Sequence, residues 1–149
     1  MVLTGKLLSQ TEIKCDGDVI HEFWGSKPHH ISGISPDKIQ GCDLHEGEWG
    51  TAGSVIEWSY FLDGKAQTVK QIIESIDKVH KTVVYKVIEG NLLELYKTFL
   101  VKIHVDTKGE NNLVTWTFEY EKLHEGIEDP TTTMDFLVKV TKEIETHHL

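Results

Sequence analysis

The amino-acid sequence predicts an α+β fold in which seven antiparallel strands curve around one long C-terminal helix. Three observations carry that expectation. Residues 129–149 hold the only long amphipathic helical pattern in the chain. Residues 38–120 read as short runs of alternating apolar and polar side chains separated by turn chemistry. Between those runs nothing is long enough for the crossover helix that parallel strands need, so neighbouring strands pair antiparallel. With 149 residues and no repeat, low-complexity tract or linker, residues 1–149 make one domain.

Each element has a local cause. Residues 2–13 alternate unevenly and form the first strand. Asp16 or Asp18 then caps a short helix that carries Val19, Ile20, Phe23 and Trp24 and ends at Gly25. A second short helical piece at 28–34 stops at Ser35-Pro36, because the residue before a proline avoids helical backbone. Residues 38–44 form a strand, and the loop through Gly47, Gly50 and Gly53 leads into another at 54–62. Asp63-Gly64 is a two-residue hairpin signal. Strands at 66–76 and 82–89 follow, broken at Asp77-Lys78, and Gly90-Asn91 and Lys108-Gly109 turn the chain into strands at 94–105 and 113–122. In the last helix Asp129 is the expected N-cap and Pro130 the first helical residue, where a missing N–H leaves no bond unmade. Met134, Leu137, Val138, Thr141 and Ile144 then share a face that Phe136 and Val140 widen.

The strands carry their large apolar groups on alternate positions. Ile56, Trp58 and Tyr60 share one face, as do Val83, Tyr85 and Val87, then Phe99, Val101 and Ile103, then Trp116, Phe118 and Tyr120. Glu57, Lys86, Lys102 and Glu119 lie between them, so the other face is wet. Seven strands at ~4.8 Å spacing span more than ~30 Å, whereas a helix with its side chains is ~10–12 Å across. One helix covers such a face only if the sheet curls around it, and that geometry leaves a void. An empty void costs about 24 cal/mol per Å³, so water or an amphipathic guest is expected inside.

Three segments carry a resemblance: KPHHISGISPDKIQGCDLHEGEWGTAGSVIEW at 27–58, YKVIEGNLLELYKTF at 85–99 and VTWTFEYEKL at 114–123. With them, and with its order of elements, the chain is similar over its whole length to the major latex proteins of the plant Bet v 1/PR-10 superfamily. The resemblance implies a helix-grip, START-like fold, with the sheet wrapped around the long helix and an internal cavity closed at one side by the two short helices. It implies binding and intracellular transport or storage of hydrophobic small molecules, such as lipids, steroids, flavonoids or hormones, in plant defence and stress. A few relatives are enzymes of alkaloid assembly, and their lysine, tyrosine and carboxylate set has no residue-by-residue match here.

On this reading Ile56, Trp58, Tyr60, Val83, Tyr85 and Val87 wall the pocket together with Phe99, Val101, Ile103 and Trp116. Met134, Leu137, Val138 and Thr141 face it from the helix, and Phe23, Trp24 and His30 stand at its gate. Burial of an acyl chain contributes ~0.8 kcal/mol per CH₂, so a lysophospholipid, fatty acid or steroid suits such walls. Tyrosine hydroxyls and the Trp58 N–H are the groups expected to orient its polar end.

Composition narrows the alternatives. All 15 basic residues are lysines against 24 acidic ones, a net charge of −9. Without an arginine fork, and with a field that repels polyanions, nucleic acid is not an expected partner. No apolar run is long enough for a signal peptide or a membrane span. Cys15 and Cys42 lack CxxC spacing and read as free thiols in a reducing compartment, hence a cytoplasmic protein. A polar outer strand face predicts a monomer. No cofactor is expected: the glycine-rich stretch 46–54 lacks a Gly-Lys-Ser/Thr ending and runs into a strand, so it reads as a rigid turn. Among nine histidines, the adjacent pairs His29-His30 and His147-His148 point apart, and neither cysteine completes a metal site.

The competing function is an enzyme that uses the same cavity for a condensation or cyclisation. Glu145 projects between Met134 and Val138, where a cavity-facing carboxylate would act as a base with raised pKa. Lys70 alternates with Thr68 and would be an imine-forming lysine if that strand turned it inward. The simpler readings are that Glu145 reaches out to water and that Lys70 lies on the solvated face.

Overall fold

Strand β1 (Thr4–Ile13) leads into helix α1 (Gly17–Gly25), a 3₁₀ turn (Pro28–Gly33), β2 (Ile39–Glu46), β3 (Val55–Leu62), β4 (Lys65–Asp77) and β5 (Thr82–Gly90). A second 3₁₀ turn (Asn91–Glu94), β6 (Tyr96–Lys108), β7 (Asn111–Lys122) and α2 (Thr131–His147) complete it. The computed structural model describes residues 3–108 and 111–148. Val2, Gly109 of the expected Lys108-Gly109 turn, and Leu149 lie outside the described residues. The sheet has seven strands in the order β1-β7-β6-β5-β4-β3-β2, every pair antiparallel.

Local chemistry sets the boundaries. The Asp16 carboxylate accepts the Asp18 N–H at 2.9 Å and so caps α1. Asp63 and Gly64 both have positive φ, 52° and 74°, the pair that a tight hairpin between Leu62 and Lys65 demands. In the glycine-rich loop the Ser54 hydroxyl accepts the Glu48 N–H at 3.0 Å and donates to the Glu48 carbonyl at 2.7 Å, so the turn closes on itself.

One expectation is corrected. Helix α2 begins at Thr131, after Pro130, and Asp129 does not cap it. The Asp129 carboxylate instead accepts the Tyr120 hydroxyl at 2.6 Å and the Lys122 ammonium at 3.1 Å, which fixes the approach to α2 against β7. On β4 the inward residues are Val69, Gln71 and Ile73. Val69 lies opposite Trp58 and Gln71 opposite Ile56, which puts Thr68 and Lys70 outside, with Lys70 3.2 Å from Glu89.

The other strands follow their alternation. Phe99 stands opposite Tyr120, Val101 opposite Phe118 and Ile103 opposite Trp116, all of them buried. α1 lies over β5 and β6, while α2 packs against β1, β7 and α1. Among the described residues no helix is long and apolar enough to cross a membrane.

Candidate functional site

Between the sheet and the first half of α2 is a cavity of ≈ 60 Å³. Its sheet wall includes Trp58 and Tyr60 of β3, Val69 and Gln71 of β4, Tyr85 of β5, Phe99 and Val101 of β6, and Trp116 and Phe118 of β7. Ile39, Leu92 and Trp24 also line it, and Thr133, Phe136 and Leu137 of α2 roof it. Alternation delivers these groups to one place, and hydrogen bonds hold the rings there. The Tyr85 hydroxyl donates to the Trp24 carbonyl. The Trp58 indole N–H donates to the Gln71 side-chain oxygen at 2.8 Å, the Trp116 N–H to the Thr141 hydroxyl at 3.1 Å and the Tyr60 hydroxyl to Gln67 at 3.1 Å. Trp24 stands edge-to-face on Trp116, with ring centroids 4.8 Å apart. Rings pinned this way cannot collapse together, so the space between them persists.

The electrostatics are those of a low-dielectric pocket without charge. Burial pushes the Tyr60 phenol up to about 12 and the Tyr85 phenol well above its ordinary value. Both phenols therefore stay protonated at neutral pH. The donors expected to orient a ligand, the Tyr60 and Tyr85 hydroxyls and the Trp58 N–H, are already committed to protein acceptors.

Of the residues expected at the site, the structure brings Trp24, Trp58, Tyr60, Tyr85, Phe99, Val101, Trp116 and Leu137 together around the cavity. The others lie off it. Ile56 and Val87 flank Gln71 across β3 and β5. Val83 packs beneath α1, 3.4 Å from where a Gly25 side chain would begin, and Ile103 is its neighbour across β6. On α2 the cavity-facing stripe is Thr133, Phe136 and Leu137, turned from the expected Met134, Val138 and Thr141. The centre of the apolar arc packs on the sheet and only its edge meets the cavity, so Met134 and Thr141 are buried in the core and Val138 is half-buried.

Two of the three residues expected at the gate, Phe23 and His30, lie off the cavity. Phe23 meets His148 at 5.1 Å, and exposed His30 sits against His29, which stacks on Trp49 at 3.9 Å. None of these lines the cavity, whose half-buried walls are Thr133 and Leu137, at the N-terminal half of α2. Ile39, Val69, Gln71, Leu92, Phe118, Thr133 and Phe136 were not expected as lining. Phe118 and Phe136 carried a signal, the first alternating with Trp116 and the second inside the α2 arc. A glutamine on an inward position carries none.

Glu145 is buried, but away from the cavity. One of its oxygens accepts the Lys14 backbone N–H at 2.5 Å and the other meets the Lys142 ammonium at 2.8 Å. Burial pushes its pKa up, and the Lys142 and Lys14 bonds outweigh that and hold it below its ordinary value. Among the described residues no three His, Cys, Asp or Glu side chains are placed to hold a metal ion.

Comparison with known proteins agrees with this architecture. The sequence matches the Pathogenesis-related protein Bet v 1 family over residues 2–149. It is 46% identical to MLP-like protein 28 of Arabidopsis thaliana over 99% of this chain and 44% of that protein, so it spans under half of that relative. MLP-like protein 43 of the same plant is 42% identical, with 99% of this chain and 94% of the relative covered. The crystal structure of ginseng major latex-like protein 151 from Panax ginseng superposes with a TM-score of 0.96 at 56% identity, covering 99% of each chain. Norcoclaurine synthase from Thalictrum flavum shares the fold alone, at 16% identity and a TM-score of 0.78, covering 98% of this chain and 88% of the synthase.

Proposed function

The chain belongs to the Bet v 1 family, in its major-latex-protein branch, and from that premise we propose that it carries a hydrophobic small molecule between the sheet and the first half of α2. The observation that carries this reading is an interior hollow walled by hydrogen-bonded aromatic rings, with no ionisable side chain other than tyrosine in its lining. Lipid-, steroid-, flavonoid- and hormone-like molecules are the class such walls suit.

At ≈ 60 Å³ the cavity holds a few waters or a short hydrocarbon segment. Drug-sized ligands occupy sites of about 300–1,000 Å³. Uptake therefore works by opening: Thr133, Phe136 and Leu137 swing outward on α2, and apparent affinity falls by the fraction of time the roof is closed. A carrier is favoured over a catalyst because Lys70 faces away, paired with Glu89, and Glu145 is held ionised by Lys142 and the Lys14 N–H. The two free, buried thiols, Cys15 and Cys42, support a reducing, cytoplasmic setting, and an outer sheet face carrying exposed Lys86, Lys102 and Glu119 supports a monomer.

The test is fluorescence titration with Nile red, an uncharged solvatochromic dye. Saturable 1:1 binding that a steroid or fatty acid displaces, and that Leu137→Trp abolishes by filling the roof, is the expected result. Undiminished uptake by the Leu137→Trp variant removes this cavity as the binding site.

A further inference from the structure

A cavity selects its guest by the polar groups that the protein has not already paired. Four donors at this wall are committed: the Trp58 and Trp116 N–H groups and the Tyr60 and Tyr85 hydroxyls each meet a protein acceptor. Two are left over. The Trp24 indole nitrogen is buried and has no hydrogen-bond partner, and the Trp24 side chain, 3% exposed, forms part of the cavity wall. The Gln71 carboxamide is the other. An indole N–H only donates, so the Gln71 atom 2.8 Å from Trp58 must be its oxygen, and this leaves the NH₂ group with donors to give. No lysine or histidine lines the cavity, so an anion brought inside would have no counter-ion.

We propose that the buried end of the ligand is an uncharged hydrogen-bond acceptor, a ketone, ester or ether oxygen, received by the Trp24 indole N–H and the Gln71 NH₂ group. This rests on the carrier reading and adds the polar chemistry of the guest. A hydrocarbon leaves the Trp24 donor unmet, and a buried donor without a partner is costly. An alcohol brings one more donor to a site with donors to spare. A carboxylate satisfies the donors but is stripped of water with no cation nearby.

Three probes of one shape separate these cases by calorimetry: 2-acetylnaphthalene, 2-ethylnaphthalene and 2-naphthoate. Relative to its alkane–water partitioning, the ketone should bind wild-type protein about tenfold more tightly than the ethyl compound, the scale of one recovered hydrogen bond, and the carboxylate should bind most weakly. Trp24→Phe, which keeps a ring and removes the N–H, should narrow the ketone's advantage several-fold. If the ethyl compound binds and the ketone gains nothing over it, this inference falls while the carrier reading stands. Failure of all three to bind overturns both, and a carboxylate that binds most tightly overturns the neutral acceptor. Should Trp24→Phe not fold, the carbonyl stretch of the ketone bound to wild type decides: a frequency below that in hexane is expected, and a hexane-like frequency overturns the assignment.

Discussion

One sheet, with one alternating pattern, has a filled end and a hollow end. Under α1 the interior is solid. A side chain starting at Gly17 would come within 2.9 Å of a Val105 methyl, and one at Gly25 within 3.4 Å of Val83 and Ile76. The two glycines let the helix backbone settle onto branched aliphatic side chains, which fill space in any orientation. Under the first half of α2 the wall is instead made of Trp24, Trp58, Tyr85, Phe99, Trp116 and Phe118, flat rings with hydrogen bonds fixing three of the four polar ones. Small residues on the helix with aliphatic groups on the sheet give a core; hydrogen-bonded rings on the sheet beneath Thr133, Phe136 and Leu137 of the helix give a pocket. The cavity therefore follows from which side chains meet, since the strand geometry is common to both ends.

Substitutions sharpen that contrast, and the largest effect belongs to the filled end. Ile103, fully buried there, should cost about 2–5 kcal/mol as Ile103→Ala, read from the urea midpoint. Gly17→Ala should cost about 1–3 kcal/mol by overpacking against Val105. Leu137→Ala, half-buried beside space that already exists, should cost about 1 kcal/mol, because the contacts it gives up are few. The same change should strengthen Nile red binding by widening the roof. A Leu137→Ala penalty as large as that of Ile103→Ala would erase the distinction between the ends.

The smallest effect is that of pH. Glu145, whose bond to the Lys14 N–H ties α2 to the end of β1, titrates below its ordinary 4.5 in the folded protein. Its folded pKa is depressed, so its contribution is complete above the unfolded value and is lost as pH falls from about 4.5 through the folded one. Glu145→Gln should lower stability at pH 7 and flatten its decline between neutral and acid pH. An acid limb unchanged from wild type would show that another carboxylate governs it.

The fold was legible because alternation and turn residues are local signals that tertiary structure here reinforces. Asp63-Gly64, the Asp16 cap and the inward faces of β3, β5, β6 and β7 follow from neighbours in sequence alone. The site was only half legible. Alternation tells which side of the sheet a residue faces, and so it separated Tyr85 from Lys86. It does not tell which helix lies overhead, and so it could not separate Tyr85, at the cavity, from Val83, under α1. On α2 the apolar arc is wider than the cavity, and the packing of its centre on the sheet turned Thr133, Phe136 and Leu137 toward the hollow. On β4 the simpler reading of Lys70 as solvated holds, but the adjacent isoleucines, Ile72 and Ile73, blur the period, so nothing in it marks Gln71 as inward.

The contrast between a hollow and a filled end is tested most directly by a crystal structure under xenon pressure, since an apolar void admits xenon and a packed core does not. Xenon is expected inside the cavity bounded by Trp58, Tyr85 and Phe136, and none between α1 and Val83, Ile103 and Val105. Xenon beneath α1, or no xenon among the aromatic rings, would contradict it.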